Sequence, residues 1–271
     1  MGGPTALTPR QQQLLSYVQI EGYASVEALS GQFSVTPQTI RRDIGALCAR
    51  GLLSRHHGGA GLPPSNVENI SYQQRRVLNL EAKQRIGRAV ARDIPENASL
   101  FINIGTTTEE VAKALRHHQG LRVITNNLNV VMILSANPST EVIVTGGTVR
   151  NQDRGITSEA TIDFVNQFVV DFGVIGISGI EPDGTLLDYD YHEVRVTRAI
   201  VEHSRRVLLV TDHSKFGRSA LVRLGPMDLV DDLYTDMPPS EELQGAIEQA
   251  STRLHITSGH SGGESAAEEC G

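Results

Sequence analysis

Between residues 81 and 257 the chain alternates between short, β-branched apolar runs and longer amphipathic stretches. EAKQRIGRAVARDI puts Ile86, Val90 and Ile94 in line on one helical face. SLFINIG then reads as a buried strand, and TTTEEVAKALRHH as the helix that follows it. RVITNN, EVIVTGG, VDFGVIGIS, RRVLLVTD, LYTD and RLHIT are further strands. Among them NLNVVMILSAN, SEATIDFVNQF, YHEVRVTRAIVEHS and PSEELQGAIEQA read as helices. Few architectures accept this pattern. It predicts an α/β domain with a mainly parallel sheet and helices on both faces. Ligands on such sheets bind beyond the carboxyl ends of the strands.

Those strand ends carry the candidate binding residues. In IGTTTEE, residues 104–110, Gly105 ends a strand and Thr106, Thr107 and Thr108 lead into a helix. Free amides and hydroxyls there make an anion cradle, although plain threonine capping explains the same letters. Asn126-Asn127, Gly146-Gly147-Thr148 and Ser178-Gly179 also fall just after strands. Small and amide residues at successive strand ends fit a pocket for a polar, phosphorylated molecule. DYDYHE groups Asp188, Asp190, His192 and Glu193, and TDHSKFGR groups Asp212, His213 and Lys215. Lys215 suits a phosphate as a point charge, and Asp188 or His192 suits sugar or glycerol hydroxyls. Solvated loops are the plainer alternative for both stretches.

The first sixty residues follow another pattern. Thr8-Pro9 opens a helix with Leu14, Leu15 and Val18 on one face, ended by Gly22. Ser25 caps a second helix with Val26, Leu29 and Phe33 inward, and only Ser34-Val35-Thr36 separates it from a third. In TPQTIRRDIGALCARG, Thr36 is the cap, Pro37 the first helical residue and Gly51 the residue past the end. Ile40, Ile44 and Leu47 form its buried stripe. Two short helices joined by a tight turn are a helix-turn-helix, whose second helix reads the major groove. LLSRHHGGAGL then reads as a hairpin wing, with Arg55, His56 and His57 near its tip. Gln38 can bond adenine bidentately and arginine guanine. Gln38, Thr39 and Arg42 are therefore expected at bases, and Arg41 and Arg55 at phosphates. The alternative is that Arg41 and Arg42 only solvate a helix, pairing with Asp43 or nearby Glu residues.

Charge supports the division. Residues 1–60 hold Arg10, Arg41, Arg42, Arg50 and Arg55 against Glu21, Glu27 and Asp43, a net of +2. The whole chain's −7, less that +2, leaves −9 for residues 61–271. A basic head on an acidic body is the asymmetry expected when only the head meets nucleic acid. No apolar run is long enough to span a bilayer and no signal-peptide pattern opens the chain, which points to a soluble cytoplasmic protein. Cys48 and Cys270 are the two cysteines, too few for a disulfide framework. The expected organisation is a winged helix-turn-helix over 1–60, a proline-containing linker over 61–80, an α/β sensor over 81–257 and a disordered tail over 258–271.

Several enzyme and metal readings fail. GVIGISG is spaced G-x-x-G-x-x-G, unlike the dinucleotide fingerprint. His56-His57 would point to opposite faces of a strand. His117-His118 sits at a helix end, and His192-Glu193 lacks a second histidine at zinc-protease spacing. No cofactor or metal is expected.

FSVTPQTIRRDI followed by LLSRHHGGA resembles the N-terminal winged helix of the DeoR family of bacterial repressors. EAKQRIGRAVA, LFINIGTTTEEVA, VITNNLNV, GGTVR, DFGVIGISGIEPDGTLLDYDYHEVR and DHSKFGR agree with that family in order, so the resemblance spans roughly residues 9–255. The last third is most similar to the branch that controls glycerol 3-phosphate metabolism. The resemblance implies a sensor related to ribose-5-phosphate isomerase, operator DNA as partner, glycerol 3-phosphate as inducer and a homo-oligomer, dimer or tetramer. It maps the family's phosphate loop onto Gly105, Thr106 and Thr107, and other pocket loops onto Asn126, Gly146-Gly147 and Lys215. Arg154 and Ser158 stand where this branch tends to have glycines, which places two extra side chains near the expected pocket. A sugar-phosphate isomerase with a DNA-binding head is the rival reading, and a winged helix does not encode the sign of regulation.

Overall fold

The computed structural model describes residues 7–21, 23–56, 58–61 and 69–257. Gly22, His57, the linker residues 62–68 and the tail from 258 lie outside the described residues. The chain divides into one unit of residues 1–78 with 219–221, and a second of 79–218 with 222–271.

The first unit holds helices α1 (Pro9–Glu21), α2 (Val26–Phe33), α3 (Pro37–Ala49) and α4 (Tyr72–Val77), and strands β1 (Tyr23–Ser25), β2 (Ser54–His56) and β3 (Gly59–Gly61). The helix starts come from side-chain caps. Thr8 Oγ1 accepts from the Gln11 amide (3.2 Å), Ser25 Oγ from the Ala28 amide (3.0 Å) and Thr36 Oγ1 from the Thr39 amide (3.3 Å). Each satisfies an amide that the first turn leaves open. Gly51, at φ +68°, closes α3: its amide and that of Leu52 bond back to Cys48 (2.9 Å) and Leu47 (3.0 Å). Leu14, Val18, Leu29, Ile40, Ile44, Leu47 and Leu53 bury one common core. β1, β3 and β2 form an antiparallel sheet in that order. β1 was not read from the sequence, and it makes the wing three-stranded. Gly59 admits no side chain, since a Cβ there would stand 2.2 Å from the Ala24 carbonyl oxygen. α4, inside the stretch read as linker, begins with a capping box between Ser71 and Gln74.

In the second unit α5 (Leu80–Asp93) precedes β4 (Ser99–Ile102), α6 (Thr106–Ala114), β5 (Arg122–Thr125), α7 (Leu128–Leu134) and β6 (Glu141–Val144). A small hairpin, β7 (Val149–Arg150) and β8 (Gly155–Ile156), leads to α8 (Glu159–Val165) and β9 (Val170–Ile175). β10 (Gly179–Ile180), β11 (Leu186–Asp188), α9 (Tyr191–Glu202), β12 (Ser204–Val210) and β13 (Val222–Gly225) follow. β14 (Asp232–Thr235), α10 (Glu241–Gln249) and β15 (Arg253–Ile256) end the unit. The main sheet has the order β15-β14-β12-β9-β4-β5-β6, and every ladder in it is parallel. Apolar side chains of α5, α6 and α7 bury one face of it, and those of α8, α9 and α10 the other. The sheet is thus wholly parallel, and the antiparallel pairing lies outside it, in β10-β11-β13 and the β7–β8 hairpin.

Asp232, the first residue of β14, is fully buried. It accepts from Arg206 Nε (2.6 Å), Arg253 Nε (3.0 Å) and His255 Nε2 (2.8 Å). Burial pushes this carboxyl up, but the hydrogen bonds from Arg206, His255 and Arg253 outweigh it and hold it at about 2.

Candidate nucleic-acid interface and effector site

On α3 the residues split cleanly by face. Ile40, Ile44 and Leu47 are buried, while Gln38, Arg41 and Arg42 are exposed and Thr39 is half-buried. Asp43, the carboxylate nearest the arginines in sequence, turns inward. It is 4% exposed and accepts from Arg10 Nε (2.6 Å) and Gln11 Nε2 (3.2 Å) on α1. The solvated ion-pair alternative for Arg41 and Arg42 therefore loses its nearest partner. Among the described residues neither arginine forms an ion pair with a carboxylate. The Thr39 hydroxyl lies 3.0 Å from that of Thr36, so it is partly engaged in the cap.

Arg55 on the wing is exposed, and a Cβ on Gly45 would meet its guanidinium at 3.2 Å. The wing arginine thus leans against α3. Together with Arg41, His56, Gly58 and Gly59 it lines a groove of 520 Å³ between helix and wing. His56 is half-buried and its ring packs edge-on to Tyr23, with centroids 6.1 Å apart. His57 lies outside the described residues. Arg41 and Arg55 line one groove, while Gln38 and Arg42 are exposed outside it.

At the carboxyl ends of the parallel strands, β4 runs through Asn103 and Ile104 to Gly105, whose φ of +154° opens α6. Thr106 and Thr107 are each 8% exposed. The Thr108 hydroxyl shares its one proton between the Asn103 (2.7 Å) and Gly105 (2.8 Å) carbonyls and locks the loop. The first amides of α6 have no intrahelical partner and carry the positive end of the helix dipole.

Lys215 ends a short turn of 3-10 helix and is 9% exposed. It shares its surroundings with Asp212, which caps that turn through the Ser214 amide (3.0 Å) and accepts from Asn79 Nδ2 (2.8 Å). Burial pushes the Asp212 carboxyl up, but the ammonium groups of Lys215 and Lys83 and the hydrogen bonds from Ser214 and Asn79 hold it below the usual carboxylate range. Lys83 was not singled out in the sequence. It is 3% exposed on α5, three residues before Ile86 on the apolar stripe, and that misplaced charge was the available signal. α5 and α6 run in parallel: a Cβ on Gly87 would meet the Glu110 carbonyl oxygen at 2.6 Å, and His118 Nε2 lies 2.9 Å from the Ala91 carbonyl oxygen. Lys83, one turn before Gly87, is therefore level with the first turn of α6.

The remaining candidates sort by neighbourhood. Asn126, 1% exposed, follows β5. Gly146 and Gly147 follow β6, the former accepting from Thr161 Oγ1 (2.9 Å) and the latter at φ +137°. A Cβ on Gly147 would meet Ser158 Oγ at 2.5 Å. Asp188 is buried at the end of β11, its carboxylate accepting from the Tyr189 amide (2.7 Å). His192 is exposed on the first turn of α9, its ring edge-on to Tyr191, so the structure does not bring it into the strand-end group. Ser158 spends its hydroxyl capping α8 through the Thr161 amide (3.2 Å). Arg154 stands exposed at φ +60° and reaches Asn129 Oδ1 (3.3 Å). Its backbone conformation is the one a glycine adopts most cheaply.

Arg150, likewise not singled out, ties the β7–β8 hairpin to α9. It donates to Asp153 (2.6 Å), Asp190 (2.9 Å) and Glu193 (2.7 Å). Burial works against its charge, but Asp153 and Glu193 raise its pKa above the ordinary arginine value. Glu193 is thereby a structural partner.

Comparison with known proteins decides the affiliation. The DeoR-like helix-turn-helix domain model matches residues 10–66, and the DeoR C terminal sensor domain model matches 78–237. The chain belongs to the DeoR family. It is 52% identical to the glycerol-3-phosphate regulon repressor of Escherichia coli (strain K12), over 92% of this chain and 98% of that one. The Haemophilus influenzae glycerol-3-phosphate regulon repressor is 48% identical, over 92% and 97%. The Escherichia coli HTH-type transcriptional repressor CsqR is 42% identical, over 91% and 94%. Among solved structures, ribose 5 phosphate isomerase A from Neisseria gonorrhoeae aligns with a TM-score of 0.37 at 12% identity, over 49% of this chain and 52% of that one. In this DeoR-family chain no helix among the described residues is long and apolar enough to cross a membrane.

Proposed function

We propose that this protein is a transcriptional repressor of genes of glycerol 3-phosphate metabolism, released from its operator when glycerol 3-phosphate occupies the strand-end site. The single observation behind the DNA-binding half is the outward face of α3, where Arg41 and Arg42 stand exposed with Asp43 turned inward onto α1. Gln38, Thr39 and Arg42 read bases, and Arg41 and Arg55, with His56 and His57 of the wing, hold phosphates. A cytoplasmic dimer or tetramer docks two recognition helices into half-sites about 10 base pairs, or a multiple, apart.

The effector's phosphate sits on the amides and hydroxyls of Gly105, Thr106 and Thr107, with Lys215 supplying charge. Asn126, Gly146, Gly147 and Asp188 serve the rest of the molecule, and His192, which faces outward on α9, is left out of the site. A tenfold loss of operator affinity needs about 1.4 kcal/mol of coupling, within reach of one phosphate clamp. The site works as a receptor, and no catalysis is assigned to it. Incubation with ribose 5-phosphate checks that point, and appearance of the ketose would contradict it.

The test is fluorescence anisotropy of promoter DNA from the gene's own neighbourhood, with and without glycerol 3-phosphate. Specific binding that the ligand weakens is expected. Binding that ignores the ligand would remove glycerol 3-phosphate as effector, and absence of specific binding would return the arginines to being surface charges.

A further inference from the structure

We infer that the ends of β5 and β6 form a subsite for an alcohol group of the effector, with Asn126 as acceptor and Thr145 as donor. The inference rests on the effector reading above and supplies its second half, recognition of the carbon chain rather than the phosphate.

Asn126 and Thr145 are 1% and 4% exposed. Asn126 Oδ1 and Thr145 Oγ1 are both buried without a hydrogen-bond partner. The amide's orientation is set by its other end, since Asn126 Nδ2 donates to the Ile156 carbonyl (3.3 Å). Oδ1 is therefore the atom left open. Buried polar atoms are almost always satisfied, so two open ones side by side call for a partner.

They are side by side because of register. The last named pair of the β5–β6 ladder is Thr125 with Val144, and the Thr145 amide continues it to the Thr125 carbonyl (3.0 Å). Asn126 and Thr145 occupy the next rung, and side chains on one rung of parallel strands share a face. Neighbouring strands are about 4.8 Å apart, and two hydrogen bonds of about 2.8 Å each bridge that distance through one oxygen. The chemistry of that oxygen follows. A carboxamide oxygen only accepts, while a threonine hydroxyl can donate. An alcohol gives one proton and offers lone pairs, so it satisfies both. An ionised phosphate oxygen cannot satisfy Asn126. β4, which leads to the threonine loop, is the other neighbour of β5. In the proposed pose an ester with its phosphate at that loop extends across β5 to this rung.

The experiment titrates the full-length protein calorimetrically with glycerol 3-phosphate and with propyl phosphate, which keeps the ester and three carbons but has no hydroxyl. The parent is expected to prefer glycerol 3-phosphate by about tenfold, one hydrogen-bond partnership's worth. Thr145→Val should lose that preference with propyl phosphate affinity unchanged, and Thr145→Ser should restore it. Should Thr145→Val fail to fold, Thr145→Ala against Thr145→Ser carries the same comparison. A parent that binds both esters alike overturns the subsite and leaves the phosphate reading intact. A variant without the hydroxyl that still discriminates also overturns it, reducing the pair to a structural water site. A parent that binds neither ester overturns both readings.

Discussion

Arginine 41 gives the sharpest handle on the DNA-binding surface. Arg41→Ala removes an exposed guanidinium that has no carboxylate partner among the described residues. It sits inside a helix, where alanine is the best former, so stability should change by less than about 0.5 kcal/mol. The effect should fall on binding alone. Each phosphate contact contributes about 0.9 to the slope of log affinity against log salt. In the proposed dimer on two half-sites, two contacts are lost, so the slope becomes shallower by about 1.8. From 50 to 200 mM salt, a step of about 0.6 log units, the variant's deficit relative to the parent should shrink by roughly twelvefold. Anisotropy titrations at four salt concentrations, with one operator duplex, measure both slopes. Parallel slopes would mean that Arg41 touches no phosphate. Arg42→Ala is the contrast: it should cost about 1–3 kcal/mol, relax specificity at one base position and leave the slope nearly intact.

Other perturbations probe the remaining features. Gly59→Ala drives a methyl group into the Ala24 carbonyl oxygen and Ser25 Cα at 2.2 and 2.9 Å; urea unfolding should show the first unit weakened by about 1–3 kcal/mol, and an unchanged midpoint would show that the wing yields. Lys215→Met should keep operator affinity but need at least about tenfold more glycerol 3-phosphate for release; unaltered release would remove this lysine from the site. The Asp232 carboxyl, at about 2 when folded against an ordinary 3.8, contributes stability that is present above 3.8 and lost as pH falls toward 2. That contribution is about 2 kcal/mol, so Asp232→Asn should be weaker than the parent at neutral pH and converge with it in the acid limb. Arg154→Gly relieves a left-handed backbone and should raise stability by about 0.5–1 kcal/mol, read from the thermal midpoint.

The legible parts of the sequence were those set by local chemistry. Thr36-Pro37 and Gly51 bounded α3 because capping depends on neighbours a few residues away. Most of the parallel strands were legible because they contain apolar runs. β1 was not, being three residues whose strand character comes from pairing with β3 far along the chain. The β7–β8 hairpin was missed for the same reason, two residues a side whose Arg150 is tied to carboxylates forty residues further on. In the candidate site, the threonine loop stood out through composition. Lys83 and Thr145 did not, because one lies on an apolar helix face and the other looks like any β-branched residue closing a strand. His192 was grouped with Asp188 by proximity in sequence, but a helix turn carries it outward.

The inward turn of Asp43 has an evolutionary consequence. Because α3 is fastened to α1 by its own buried acid, the helix keeps its pose whatever letters stand at 38, 39 and 42. On the proposed reading, address and anchorage are written on opposite sides of one helix. A lineage can therefore move to a new operator by changing a few surface residues, without renegotiating the fold that presents them.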